Sequence, residues 1–126
     1  MSARFSKNAG PSQRQLRAGE LIRHALAEMF QREEVHEQDL PTSPVTITEV
    51  KTSPDLKAAT VFCAVLGKDD FEAEINQLNR ASGSIRQVLG RKIQLKFTPS
   101  LTFRKDETFE EAARISELLK ETRRDG

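Results

Sequence analysis

The fold is decided by residues 45–66, which read VTITEVKTSPDLKAATVFCAVL. Residues 45–50 alternate between apolar and polar side chains and are rich in β-branched types, which predicts a strand. Ser53-Pro54-Asp55 is typical of a turn, because proline fixes its own backbone angle and aspartate closes a local hydrogen bond. Residues 57–66 are apolar on both alternating sets, as expected of a central strand that helices cover on one face. A strand, a short turn and a second strand predict an antiparallel pair.

A long helix precedes this pair in the sequence. Ser12 and Gln15 have the spacing of a capping box, and from there apolar residues recur at helical spacing over about 12–32. The side of this helix opposite the apolar stripe is expected to face water, and it carries four polar residues, namely Arg17, Glu20, His24 and Gln31. The acidic, proline-punctuated segment that follows, residues 33–44, is predicted to be a loop.

An interrupted helix follows the pair. Asp69 with Glu72 is a second capping pattern, which opens a helix with Phe71 on its apolar side. The small residues at 81–84 are poor helix formers, yet the apolar pattern resumes after them close to the same phase, which predicts a kink.

A third strand and a last helix complete the chain. Residues 93–97 alternate as a third strand, which Pro99 stops, and Thr108 with Glu111 opens a helix to about residue 123. The predicted order is α-β-β-α-kink-α-β-α, an α+β fold in which helices pack on one face of a three-stranded sheet. We expect one domain over 11–122, a basic disordered tail over 1–10 and a short tail over 123–126.

The charges are segregated along the chain, although the net charge is only +1. Residues 1–32 carry a net +4, residues 33–75 carry −7, residues 76–105 carry +7 without a single acid, and residues 106–126 carry −3. A thirty-residue basic stretch is uncommon for a merely solvated face. If the fold brings the two basic segments to one side, the molecule has a phosphate-seeking surface. The plainer interpretation is that these charges only keep the protein soluble.

No pattern of catalytic or metal-binding residues is present in the sequence. Cys63, the single cysteine, lies in the apolar strand and is predicted to be a buried small hydrophobe. His24 and His36 lack the spacing of metal ligands, and the acids at 33–39 lack the glycine of a calcium loop. There is no glycine-rich phosphate loop, signal peptide or membrane-length apolar run. We therefore expect a cytoplasmic protein without cofactor or enzymatic activity.

The kink is the strongest candidate for a binding site. Arg80 and Arg91 are expected to point away from the apolar face of the interrupted helix, and Arg86 to flank it. The small side chains of Ala81, Ser82, Gly83 and Ser84 would let a nucleic-acid backbone approach closely. For Ala81 and Gly83 relief of crowding at the bend is an equal alternative. Without Trp or Tyr, and with its seven Phe mostly in apolar patterns, the chain is expected to read RNA shape and backbone rather than to stack bases.

The sequence resembles the bacterial ribosome-binding factor A family over about residues 11–120. The resemblance rests on Ser53-Pro54-Asp55-Leu56 with Ala59 and Val61, on the interruption at Ala81-Ser82-Gly83, and on Pro99-Ser100-Leu101-Thr102-Phe103 leading to Asp106. It implies a type II KH-like fold in which an Ala-x-Gly kink replaces the usual GxxG loop. The chain departs from the family at Ser100, where an acid is usual, and it lacks a long basic C-terminal tail.

The resemblance also implies a function. A member of this family would bind the small (30S) ribosomal subunit and its 16S rRNA during late maturation, support processing of the 5′ end of pre-16S rRNA, and be needed most in the cold. It would act as a monomer until a later factor or a GTPase releases it.

Combining the residues with the resemblance, we expect phosphate contacts from the kink and its flanks, with help from the first helix and from the third strand. The acidic loop 33–39 is expected to stay away from RNA or to face a protein. The expected RNA-binding residues are Arg80, Ser82, Gly83, Arg86, Arg91, Lys92, Lys96, Arg14 and Arg17. The alternative is a protein-interaction module that docks its basic face on an acidic protein.

Overall fold

The computed structural model describes residues 10–38 and 40–108. They form the helix α1 (Gln13–Gln31), the strands β1 (Val45–Thr52) and β2 (Ala58–Val65), the helices α2 (Glu72–Arg80) and α3 (Ser82–Lys92), and the strand β3 (Ser100–Lys105). The predicted α+β class, the kinked helix pair and the three-stranded sheet are confirmed. The N-terminal tail and the last helix of the prediction lie outside the described residues, apart from Gly10 and Thr108.

The sheet has the order β1-β2-β3, so β2 is the central strand, as predicted. β1 and β2 pair antiparallel, with an irregularity between Ile47 and Glu49, whereas β2 and β3 pair parallel. The turn between β1 and β2 closes as expected, since the Asp55 carboxylate accepts a hydrogen bond from the Ser53 hydroxyl at 2.6 Å and from the Lys57 amide at 3.0 Å. Leu56 in this turn adopts a φ of 61°, in the left-handed region.

The core lies between one face of the sheet and the three described helices. It is apolar throughout, and its most deeply buried side chains come from every layer: Ile22, Leu26, Met29, Val61, Leu78, Ile85, Leu89 and Phe103. The first helix begins at the predicted capping box. The Gln15 backbone amide donates to the Ser12 hydroxyl, and the Ser12 backbone amide donates to the Gln15 side-chain oxygen. Within the part of the chain that is described, no helix is long and apolar enough to cross a membrane.

The predicted third strand is wrong in position. Residues 93–97 form a loop, and the strand comes after Pro99 rather than before it. Two neighbouring stretches alternate in polarity, but only the second lies beside β2, where the Ser100 amide donates to the Lys57 carbonyl at 2.9 Å. Residues 93–97 connect the end of α3 to the start of β3, which runs parallel to β2. Lys96 therefore projects from this loop and not from a strand.

The predicted capping box at Asp69 and Glu72 is also wrong. Phe71 occupies the N-cap position of α2 and makes no side-chain capping bond. Its ring is 4% exposed, so burial in the core decides where the helix begins. Local capping chemistry is worth about 1 kcal/mol and is outweighed by the burial of an aromatic ring.

Candidate nucleic-acid interface

The interruption predicted between the two helical segments falls at Ala81. Its φ of −90° and ψ of 4° separate α2 from α3, while the hydrogen bonds continue through it: the Ala81 amide donates to Gln77 and the Ala81 carbonyl accepts from Ile85. Ala81 is only 5% exposed and belongs to the core. Its small size is therefore explained by packing at the bend.

Gly83 has a different environment. A Cβ atom placed on Gly83 would meet no atom of another described residue within 4 Å, so no packing contact among residues 10–38 and 40–108 requires a glycine at this position. Glycine in a helix costs about 0.5–1 kcal/mol relative to alanine. A residue that lowers stability without a packing reason is typical of a surface on which another molecule comes close to the backbone.

The solvent side of α3 continues from Gly83. Gly83, Gln87 and Arg91 are exposed and four residues apart, so they share one side of the helix, and exposed Arg80 ends α2 just before the bend. We call these four residues the kink face. Neither Arg80 nor Arg91 forms an ion pair with another described residue, so both guanidinium groups are available to phosphate oxygens. Sequence reasoning missed Gln87. The only sequence signal for it is its position four residues after Gly83 and four residues before Arg91, on the same side of the helix.

Two other predicted residues are engaged within the protein. The Arg86 side chain is exposed, but its Nε and Nη2 donate to the Thr98 carbonyl at 3.0 and 2.7 Å. The Lys92 ammonium lies 2.9 Å from Glu34 and 3.3 Å from Glu28. Hydrogen bonding to the Glu34 carboxylate, with help from Glu28, raises the pKa of Lys92 above its usual value. Lys92 thus fixes α3 to the first helix and the acidic loop.

The acidic loop lies against α3 rather than apart from it. Glu34 binds Lys92 near the end of the helix, and Glu37 accepts a hydrogen bond from the Ser84 hydroxyl in its first turn. Ser82 is half-buried next to the bend. The kink face is therefore bordered on one side by carboxylates, which a phosphate backbone would approach only at a cost.

The structure brings the two basic segments together at a second place. Arg14 and Arg17 of α1 line the same groove, of about 550 Å³, as Lys96 of the 93–98 loop. Between them lies Phe97, which is 55% exposed, with the Nζ atoms of Lys57 and Lys96 at 5.8 and 5.7 Å from the ring centroid. We call this groove, with Lys57 at its edge, the Phe97 groove. Sequence reasoning missed Phe97 and Lys57, because an alternating pattern placed the ring in a strand.

Arg104 lies elsewhere. It is exposed on β3, where the alternating residues Leu101 and Phe103 face the helices, so Arg104 projects from the open face of the sheet. The basic residues of segment 76–105 therefore do not all lie on one surface.

The groups that could perform chemistry are buried or dispersed. Cys63 is fully buried, as predicted, and burial raises the pKa of its thiol to about 12. Within residues 10–38 and 40–108, no three side chains of His, Cys, Asp or Glu come together as a metal site. The described residues instead offer cations, small side chains and the exposed phenyl ring of Phe97, which suit the binding of a polyanion.

Comparison with known proteins shows which family the chain belongs to. The family model of ribosome-binding factor A matches residues 14–119. The ribosome-binding factor A of Phenylobacterium zucineum is 53% identical over 110 residues, which are 87% of this chain and 76% of the relative.

Solved structures share the fold. A Thermotoga maritima protein determined by NMR matches with a TM-score of 0.59 and 27% identity, over 77% of this chain and 91% of its own. A homology model of Thermus thermophilus ribosome-binding factor A, fitted into a cryo-electron-microscopy map of a complex with the 30S subunit, matches with a TM-score of 0.52 and 24% identity, over 67% of this chain and 86% of that one.

Proposed function

Because this chain belongs to the ribosome-binding factor A family, we propose that it binds the small ribosomal subunit by placing its kink face against the backbone of 16S rRNA. The observation that carries this proposal is Gly83, an exposed helical glycine without an internal packing role, between two arginines that have no described ion-pair partner. A phosphate backbone fits such a surface, because it needs close approach and positive charge but no deep pocket.

The binding surface is narrower than the full set of basic residues. Arg80, Gly83 and Arg91 supply the direct contacts, with Ser82 beside them at the bend. Arg86 can contact RNA only through the N–H groups that do not donate to the Thr98 carbonyl. Lys92 acts by holding α3 in place. Arg14, Arg17 and Lys96 form the second contact region, at the Phe97 groove.

We also propose that the fold is type II KH-like, with Ala81-Ser82-Gly83 at the break between α2 and α3 in the place of the GxxG loop, a proposal that the two consecutive helices between β2 and β3 support. We interpret the kink as the equivalent of that loop. Ser100 begins β3 and donates its amide to Lys57, so the residue at this position acts in sheet pairing.

We further propose that the protein acts in the cytoplasm as a monomeric, non-catalytic factor in late maturation of the subunit. Binding would hold an immature conformation of the rRNA, support processing of the 5′ end of pre-16S rRNA, and matter most in the cold, when RNA rearranges slowly. A later factor or a GTPase would release it. A deletion strain that accumulates unprocessed pre-16S rRNA at low temperature would support this part.

The experiment that tests the proposal is fractionation of cell extract on a sucrose gradient. We expect the protein to travel with 30S subunits and to be absent from complete ribosomes. Ribonuclease treatment of the bound fraction should release it, because the contacts are to RNA. A protein that stays at the top of the gradient contradicts the proposal, and one that remains bound to protein after ribonuclease treatment is instead a protein-interaction module.

A further inference from the structure

The Phe97 groove combines an exposed aromatic ring with basic side chains. Leu21 and Phe97, among the largest exposed apolar side chains of the described residues, both line it, and Leu56 and Leu95 extend its apolar floor. Arg14, Arg17 and Lys96 stand around this floor, and Lys57 lies over the ring. The groove thus offers apolar contact and positive charge to the same ligand.

The walls of the groove are held in place before any ligand binds. The Gln15 side chain donates to the Thr52 carbonyl at 2.9 Å, and the Thr52 hydroxyl donates to the Gln15 carbonyl at 3.2 Å, which fixes the first turn of α1 against the end of β1. Arg86 holds the opposite wall through the Thr98 carbonyl, next to Phe97. A preformed site binds with less loss of conformational entropy.

The electrostatics of the groove favour an anionic ligand. Four cations lie at the groove, two of them close to the ring, and none of the four forms an ion pair with another described residue. Asp55, the one carboxylate among the described lining residues, already accepts hydrogen bonds from the Ser53 hydroxyl and the Lys57 amide. Its pKa is lowered by these bonds. The groove therefore suits a flat apolar group that carries phosphates on either side.

We propose that the Phe97 groove binds an unpaired nucleotide of RNA, with its base stacked on the Phe97 ring and its flanking phosphates on Arg14, Arg17, Lys57 and Lys96. This inference rests on the proposed function and adds a base-stacking contact to the backbone contacts of the kink face. Bases in a paired A-form helix are inaccessible to such a ring, so the ligand is single-stranded. Arg86 connects the two regions, since it projects from α3 and is bonded to the residue next to Phe97.

The test measures binding of the full chain to two RNA-like hexamers by fluorescence anisotropy. The first is hexauridylate, and the second is a hexamer of abasic sugar phosphates, which keeps the charges and removes every base. Wild-type protein should bind hexauridylate at least about fivefold more tightly than the abasic hexamer. Equal affinities, or no measurable binding of hexauridylate, would overturn the inference.

Two matched variants identify the ring that stacks. Phe97→Leu keeps an apolar side chain and should weaken hexauridylate binding at least about fivefold, while abasic binding stays the same. Phe62→Leu is the control, because that ring also has a lysine nearby, with Lys51 Nζ at 5.5 Å, but lies in the central strand away from the groove. The inference is wrong if Phe97→Leu binds like wild type or if Phe62→Leu loses as much.

The same preparations should be run with 30S subunits on a gradient, which separates this inference from the proposed function. If wild-type protein does not co-sediment with 30S subunits, the proposed function is refuted. Whether the groove binds a base is decided by the hexamer comparison alone. NMR signals of the Phe97 ring should not depend on protein concentration before RNA is added. If they do, a second copy of the chain occupies the groove, and the inference is overturned.

Discussion

Lys92 at the end of α3 and Glu34 in the acidic loop form an ion pair, with the ammonium 2.9 Å from a carboxylate oxygen. The Lys92 side chain is 22% exposed and the Glu34 side chain 30%, so the pair is partly shielded from water. Glu28 lies 3.3 Å from the same ammonium. A basic residue of the +7 segment thus holds α3 against acidic neighbours, and we propose that it acts through this contact rather than by binding RNA directly.

The first prediction concerns the stability of this contact. Lys92→Met leaves the Glu34 carboxylate without its cation and leaves Glu28 paired with Arg32 alone, and Lys92→Glu adds a third negative charge beside them. Thermal unfolding followed by circular dichroism should rank the melting temperatures as wild type, then Lys92→Met, then Lys92→Glu. An unchanged melting temperature in Lys92→Glu would contradict the role that we assign to the pair.

The pH dependence of this contact has a definite sign. The pKa of Lys92 is raised in the folded state above its ordinary value of 10.5. The stabilisation is therefore complete below about pH 10.5 and is lost as the pH rises through the higher folded pKa. The difference in melting temperature between wild type and Lys92→Met should shrink in that alkaline range and stay constant near neutrality.

The second prediction concerns Glu37, which accepts a hydrogen bond from Ser84 beside the kink face. Glu37→Gln removes a negative charge from the border of the surface, so its affinity for 30S subunits should rise by about two- to fivefold at low salt. The gain should fade at high salt, because exposed charges are screened. Glu49→Gln, a matched change at an exposed position of β1, should leave the affinity unchanged. Equal effects of both variants would argue against a local role of Glu37.

The third prediction separates stability from binding at Gly83. Gly83→Ala adds a methyl group in open space within a helix, so the free energy of unfolding should rise by about 0.5–1 kcal/mol. The same methyl group would stand where the RNA backbone approaches, so binding to 30S subunits should weaken. Chemical denaturation and co-sedimentation measure the two effects.

A second glycine provides the contrast for this variant. In Gly19→Ala the new Cβ would lie 2.5 Å from the Val50 carbonyl oxygen, so this change should destabilise the fold. A Gly83→Ala protein that is destabilised, or that binds as tightly as wild type, would contradict the account of the kink face.

The fourth prediction concerns Cys63. Burial raises the pKa of this thiol to about 12 from an ordinary value of 9. At pH 8 the native protein should not react with Ellman's reagent, whereas the protein in denaturant should release one equivalent. Because the folded pKa is the higher one, stability should fall as the pH rises above about 9. Rapid reaction of the native protein would show that Cys63 is accessible.

Much of the fold could be predicted from sequence because local and tertiary preferences agree there. Residues 45–50 alternate, residues 53–55 form a turn and residues 57–66 are apolar on both sets, and the helix from Gln13 has both a capping box and a continuous apolar stripe. The resemblance to ribosome-binding factor A, drawn from residues in the turn, the kink and β3, is confirmed.

The failures arise where tertiary contacts select between similar local signals. Residues 93–97 and 100–105 both alternate, and pairing with β2 selects the second. At the start of α2, burial of Phe71 overrides the capping signal of Asp69. The roles of the basic residues were equally hidden, since the partners of Lys92 and Arg86, in the acidic loop and at Thr98, come from other parts of the sequence.

Charge reversal on the kink face separates binding of small-subunit rRNA by this surface from binding by any other part of the protein. Arg80→Glu/Arg91→Glu changes two exposed residues without a described ion pair, which makes loss of the fold a poor explanation for loss of binding. Lys51→Glu/Arg104→Glu makes the same change in net charge at exposed positions of β1 and β3, away from α3. Circular dichroism should show both variants to be folded.

The decisive measurement is co-sedimentation of these two purified variants with 30S subunits. We expect Arg80→Glu/Arg91→Glu to lose at least about nine-tenths of the bound protein, because two phosphate contacts become repulsive, while Lys51→Glu/Arg104→Glu sediments like wild type. A folded kink-face variant that sediments with 30S subunits at the wild-type level would contradict the account.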